Sequence, residues 1–279
     1  MRLSRTWPTA VIVAAIHGAP AWAQAPPNGF SAMQPSKGTF LIHEMFFYRS
    51  FDAHESTAER DLDQVTALTT LSYGVLGNLS LSLDVPVVWN RFDDSALAGD
   101  DDDFGVGDSR LLAKLRVFQH DTGPTDTMRS SLIGGLQFPG SEPTYDDASI
   151  DSWDPIVGGV FSVVRGRHGF NADATFELNT EEDDRPGEAH TLRYDASYLF
   201  RIVPKAYGEE TSHLAWYAVA ELNGIYDTNG DHELFISPGL MYEAMRFTID
   251  ATVMIPVVRD LDERPETEVV VGVGIRIPF

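Results

Sequence analysis

The residues in this 279-residue chain best suited to chemistry are its acids and bases. Asp227-Thr-Asn229-Gly-Asp231 puts oxygen ligands at alternate positions, as a calcium loop does. A full loop needs about twelve residues and a closing Glu, so this short connection reads as a hairpin turn. His54-Glu55-Ser56 has the spacing of a base and a nucleophile, but no evident third group orients the His. Asp231-His232, and Asp52 with His54, have the makings of acid–base pairs, yet they lie in stretches acidic enough for chance adjacency. The run Asp100–Asp103 could hold Ca²⁺ or Mg²⁺ loosely; such a run is ordinarily a solvated loop. There is no cysteine, which excludes thiolate metal sites and disulfides. The expectation is a protein that is not an enzyme and carries no metal or cofactor.

The other charged residues follow a pattern. They alternate with apolar residues at period 2, the signature of β-strands with two unlike faces. Val269, Val271, Val273, Ile275, Ile277 and Phe279 share one face of the last segment, and Glu268, Gly272, Gly274 and Arg276 share the other. Phe247, Ile249, Ala251, Val253 and Ile255 oppose Arg246, Thr248, Asp250 and Thr252. Phe170, Ala172, Ala174 and Phe176 oppose Asp173 and Glu177, and Leu192, Tyr194 and Tyr198 oppose Arg193 and Asp195.

About twelve such segments can be counted, near 38–50, 62–76, 78–90, 108–120, 127–139, 153–165, 168–180, 188–202, 213–226, 232–243, 245–258 and 267–279. Each is about 11–15 residues long, where globular strands run nearer 5–6 and tilted bilayer-crossing strands need about 9–11. The connections alternate between short and long, and the long ones carry the acidic runs. Outer-membrane barrels show this asymmetry, with short periplasmic turns and longer extracellular loops. A backbone inside a bilayer must satisfy its own polar groups, which leaves helices and closed barrels. The expected fold is all-β, a transmembrane antiparallel β-barrel of about 12 strands over 38–279. Tyr48, Trp89, Trp153, Phe200, Tyr226 and Tyr242 fall near strand ends, where interfacial girdles belong.

Residues 1–23 read as a signal peptide: Arg2 and Arg5, an apolar stretch Trp7–Ile16, then Ala21-Trp22-Ala23 as a small-x-small cleavage site. Its loss would take the net charge from −22 to −24. Phosphate backbones would be repelled, so nucleic acid is an unsuitable partner. Residues 24–37, "QAPPNGFSAMQPSK", read as a loose periplasmic lead-in. The expected address is the bacterial outer membrane.

If the polar faces point inward, the lumen is lined by Arg110, Lys114, Arg116, Arg129, Asp173, Glu177, Arg193, Asp195, Glu221, Arg246, Asp250 and Arg276, joined by Glu44, Asp84, Arg201, Glu233 and Glu268. A lipid-facing Lys or Arg at mid-depth costs about 2–4 kcal/mol, so these charges fix which face is inside. They could orient a passing solute, as charged rings do in pores. They could equally form a salt-bridge network that closes a narrow interior. Phe46, Phe235 and Tyr217 are expected to point inward too.

"FGVGDSRLLAKLRVF" (Phe104–Phe118) and "GGLQFPGSEP" (Gly134–Pro143), with the stretch after Trp153-Asp154-Pro155, resemble an outer-membrane family labelled MetA-pathway of phenol degradation, or transporter. The resemblance implies a barrel with a role in uptake of hydrophobic or aromatic compounds, and it implies no catalytic set. The four aspartates before the first motif depart from the family's pattern.

The last strand, with Ile275, Ile277 and Phe279 on one face, resembles the C-terminal signal read by the barrel-assembly machinery. The sequence therefore points to passive passage of a small solute, with a structural or surface-binding barrel as the alternative. Expected partners are outer-membrane lipid and lipopolysaccharide, the assembly machinery and a small-molecule solute.

Overall fold

The computed structural model describes residues 25–54, 60–93, 101–123, 125–141, 152–180, 189–206, 214–262 and 264–279. Thirteen strands run in chain order: β1 Phe40–His54, β2 Arg60–Leu76, β3 Leu79–Asp93, β4 Asp101–Val106, β5 Ser109–Asp121, β6 Thr127–Phe138, β7 Asp154–Arg165, β8 His168–Glu177, β9 Thr191–Val203, β10 Ala215–Asp227, β11 His232–Glu243, β12 Thr248–Asp260 and β13 Thr267–Pro278. Every pairing is antiparallel and between sequence neighbours, except that β4 and β5 both pair with β3; β1 pairs with β13, so the sheet closes on itself. Closure removes the sheet edges that a bilayer could not satisfy.

The barrel has twelve staves, because β4 and β5 share one. β4 pairs with the upper half of β3 (Val87↔Val106 to Phe92↔Asp101) and β5 with its lower half (Leu79↔Leu115 to Asp84↔Arg110). Gly107-Asp108 is the break between them. The Asp108 carboxylate spans it, accepting from the Gly140 N–H at 2.8 Å and from Gln137 Nε2 at 3.3 Å. Thus part of the aspartate run read as a solvated loop, Asp101–Asp103, is strand, recruited because β3 is longer than β5 and leaves its upper edge open to pairing.

The alternation has the physical cause assigned to it. Leu111, Leu132, Val157, Leu222, Ile236, Ile255 and Val273 are outward and exposed, while Ser131, Ser162, Asn171, Glu221, Asp250 and Arg276 are inward and buried. β1 departs from expectation. Phe40-Leu-Ile-His-Glu-Met-Phe-Phe carries apolar residues at both parities, so its pattern alone does not set a register. Pairing does: Met45 is buried in the lumen and Phe46 is 54% exposed on the outside. Glu44, expected inside, shares Phe46's outward face, where its carboxylate accepts from Thr69 Oγ1 at 2.6 Å. Phe235 and Tyr217 are inward and buried.

Residues 25–37 are not a loose lead-in. They form a loop inside the barrel that enters and leaves at the end carrying the short turns, with Ser31, Ala32, Met33 and Gln34 buried. The loop rejoins the wall where Lys37 bridges Gly74. A Cβ at residue 74 would lie 2.1 Å from the Ser36 carbonyl oxygen, so only glycine allows the loop to lie against β2 there. The signal-peptide reading of 1–23 lies outside the described residues, as do Glu55, Ser56 and Asp100.

Candidate functional site

The site is the lumen, and its charged residues meet the backbone of the N-terminal loop. Arg276 on β13 donates from Nη1 to the Ala25 carbonyl at 2.6 Å and from Nη2 to the Pro26 carbonyl at 2.7 Å. Glu221 on β10 accepts from the backbone N–H groups of Asn28 and Gly29, both at 3.3 Å, and from Asn28 Nδ2 at 2.8 Å. Asp173 on β8 accepts from the Phe30 N–H at 2.9 Å. Ser162 Oγ on β7 accepts from the Ala32 N–H at 2.8 Å and lies 3.4 Å from Ser31 Oγ. Lys114 on β5 donates to the carbonyls of Ser31 at 2.6 Å and Met33 at 2.7 Å. A loop without secondary structure would bury orphaned N–H and C=O groups; wall side chains satisfy these.

The charges match in sign. Carboxylates take the N–H groups of the loop and cations take its carbonyls, each a charge-assisted bond about twice as strong as a neutral one. The loop itself, from Ala25 to Ser36, carries no charged side chain. It can therefore fill a charged lumen without placing a like charge against the wall.

Of the other expected lining residues, Arg110 donates from Nε to Gln137 Oε1 at 2.7 Å and lies 3.7 Å from Glu177. Asp195 faces Asp173 across the β8–β9 pair and accepts from Asn223 Nδ2 at 2.6 Å. Arg193 lines the same cavity as Asp195. Asp250 lies 3.3 Å from Arg276 and 3.5 Å from His43. Four positions are not mid-lumen. Arg246 is exposed in the turn between β11 and β12, one residue short of the alternating strand. Arg116 reaches the Gly77 carbonyl in the β2–β3 turn. Arg129 lies at the rim, 3.8 Å from Asp121. Glu268, at the opposite rim, is exposed where a bulge breaks the β1–β13 register, and accepts from Ser50 Oγ.

Residues 39–257 match the family model described as "Putative MetA-pathway of phenol degradation". The chain belongs to that family. No curated protein matches it. Among solved structures, it is similar to the COG4313 outer-membrane channel from Pseudomonas putida F1, at 15% identity and a TM-score of 0.58, over 91% of this chain and 100% of that one. It is also similar to the β domain of the Bordetella autotransporter BrkA, at 11% identity and a TM-score of 0.49, over 87% of this chain and 100% of that one. The fold of this family member is that of outer-membrane channels.

The family motif Phe104–Phe118 has a structural meaning here: Gly107-Asp108 makes the break in the shared stave, and Arg110 and Lys114 are the inward residues just below it. The loop does not fill the lumen. A cavity of about 350 Å³ remains beside the loop, lined by His43, Met45 and Phe47 on β1, their neighbours Thr70, Ser72 and Asp84 on β2 and β3, and inward residues of the facing strands. A smaller one of about 130 Å³ adjoins it under Pro86 and Asp108.

The candidate chemistry at the far rim resolves into structure. Asp227 lies 2.8 Å from Arg264 Nε and accepts from Thr191 Oγ1, and Asp231 accepts from the Asp262 N–H. His232 Nε2 pairs with Tyr194 Oη at 2.7 Å. The residues that sequence reasoning missed are Asn28–Met33. The signal available was an uncharged stretch in a chain that is 22% charged.

Proposed function

We propose that this protein is an outer-membrane channel for passive passage of a small, partly apolar solute, held closed by residues 25–37. One observation carries the reading: inward charges on β5, β8, β10 and β13 bind the backbone of an uncharged loop of the same chain, beside a cavity of about 350 Å³. A barrel filled for stability alone would close its charges on each other. The volume is at the small end of ligand-site sizes, and Met45 and Phe47 give it an apolar side that suits the hydrophobic or aromatic cargo suggested by the family's description. In this reading the solute passes along β1–β3 once the loop is displaced. Ile275, Ile277 and Phe279 serve assembly, the segment 1–23 directs export, and lipid and lipopolysaccharide surround the barrel.

The test is conductance in a planar bilayer of the mature chain beside a version lacking residues 24–36. The reading expects rare, brief openings from the former and sustained, salt-dependent steps from the latter. A folded but silent truncated barrel would instead favour a structural or surface-binding role.

A further inference from the structure

Several exposed basic residues gather at one end of this acidic barrel. At the end with the short turns, Lys37, Arg165, Lys205 and Arg246 are exposed, and Arg116 and Arg167 sit beside them. They come from successive connections around the rim. The acids described at this end are engaged locally. Asp126 accepts from the Gly166 N–H at 2.8 Å, Asp121 from Thr127 Oγ1, and Glu243 faces inward and accepts from Tyr217 Oη at 3.0 Å. At the opposite end Arg264 pairs with Asp227, and Arg259 with Asp52 and Glu266, both at 3.4 Å, while Arg49 lies over the Phe51 ring and Arg91 is exposed among the aspartates of β2 and β4.

Outward aromatic rings lie at the same height. The Arg167 guanidinium lies 4.5 Å over the Phe200 ring, beside the His168–Tyr198 pair. Trp216 and Tyr242 pack at 4.9 Å, and Tyr242 packs on Phe247 next to Arg246. Rings in such girdles mark the level of the lipid headgroups, so the basic groups stand at the height of the phosphates.

We propose that this rim is a collar that binds the phosphates of anionic phospholipids in the periplasmic leaflet. The basic groups are spread singly around the circumference and interleaved with lipid-facing rings. That suits several separate headgroups, whereas a protein partner would need one contiguous patch. The inference rests on the membrane placement of the barrel and is independent of conduction.

The experiment places the intact mature barrel in nanodiscs of equal phosphatidylglycerol and phosphatidylcholine and measures the lipid retained on the protein by native mass spectrometry. Each basic group near an anionic surface is worth about fivefold in local lipid preference. The wild type is expected to enrich phosphatidylglycerol about fivefold at low salt and to lose most of that in 1 M NaCl, where screening is short-ranged. The variant R165Q/K205Q/R246Q, which keeps Lys37, Arg116 and Arg167, is expected to lose a large part of that enrichment, and R259Q at the opposite rim to behave as wild type. Should the triple variant not fold, each single substitution is expected to lower the enrichment in part. No enrichment by the wild type, or full enrichment by the variants, overturns the proposal. So does displacement of the lipid by soluble polyglutamate at equal charge, which would point to an acidic protein partner.

Discussion

The Lys114 ammonium donates to the Ser31 carbonyl at 2.6 Å, and to that of Met33 at 2.7 Å, in the middle of the barrel. A residue expected to line a permeation ladder thus ties the loop across the path. Lys114→Met keeps the length and removes both bonds. Hydrogen bonds to charged groups are worth about 1.5–3 kcal/mol each, part of which water recovers when the loop opens. Open probability in bilayer recordings should rise at least about tenfold. Unchanged gating would mean that Lys114 does not hold the loop.

Gly29 sits at the inner turn of the loop. A Cβ there would lie 2.9 Å from Asp195 Cβ and 3.2 Å from Asp173 Oδ1. Gly29→Val should therefore expel the tip while leaving the barrel wall alone. The expected result is a more conductive channel with the wild-type thermal midpoint for barrel unfolding, read from heat-modifiable gel mobility. A lowered midpoint with unchanged conductance would count against the loop being a separable element.

Much of this architecture was legible in the sequence, and the exceptions have physical reasons. Period 2 exposes a strand whenever its two faces meet different solvents, as on β8 with Phe170, Ala172 and Phe176 outside and Asn171, Asp173 and Glu177 inside. On β1 the contrast fails, because Leu41, Met45 and Phe47 line a lumen that is locally apolar. The place of Glu44 and Phe46 was then set by pairing with β2 and β13, which no single segment reveals. Residues 25–37 have no period and are rich in Pro, Gly and Ser, the composition of a linker. Their order comes from Arg276, Glu221, Asp173 and Lys114, up to 251 residues away in sequence.

Asp108 spans the break in the shared stave through Gly140 and Gln137. Asp108→Ala removes the acceptor of the Gly140 N–H and one acceptor of the Gln137 amide, a loss of about 1 kcal/mol or more. The barrel's thermal midpoint should fall, while Asp108→Asn, which retains one carbonyl acceptor, should fall less. Equal losses would show that charge rather than acceptor geometry matters at the break.

Arg264 and Asp227 form a buried pair at the acidic rim, with side chains 5% and 0% exposed. Removing one member of such a pair costs about 3–5 kcal/mol because the other charge stays buried. Arg264→Met and Asp227→Asn should each destabilise strongly, and the double variant should lose less than the sum. Additive losses in denaturant unfolding would show that the two groups act independently.

The central claim is that the loop closes the lumen, and the most direct test uses the absence of cysteine from the chain. Ser31 and Ser162 face each other with Oγ atoms 3.4 Å apart, so the pair S31C/S162C can lock the loop to β7 in a background free of other thiols. The measurement is single-channel conductance of that variant before and after a reducing agent. The account predicts a channel that is silent when oxidised and opens on reduction. Equal conductance in both states would contradict it, because ions would then be crossing a lumen whose loop cannot move.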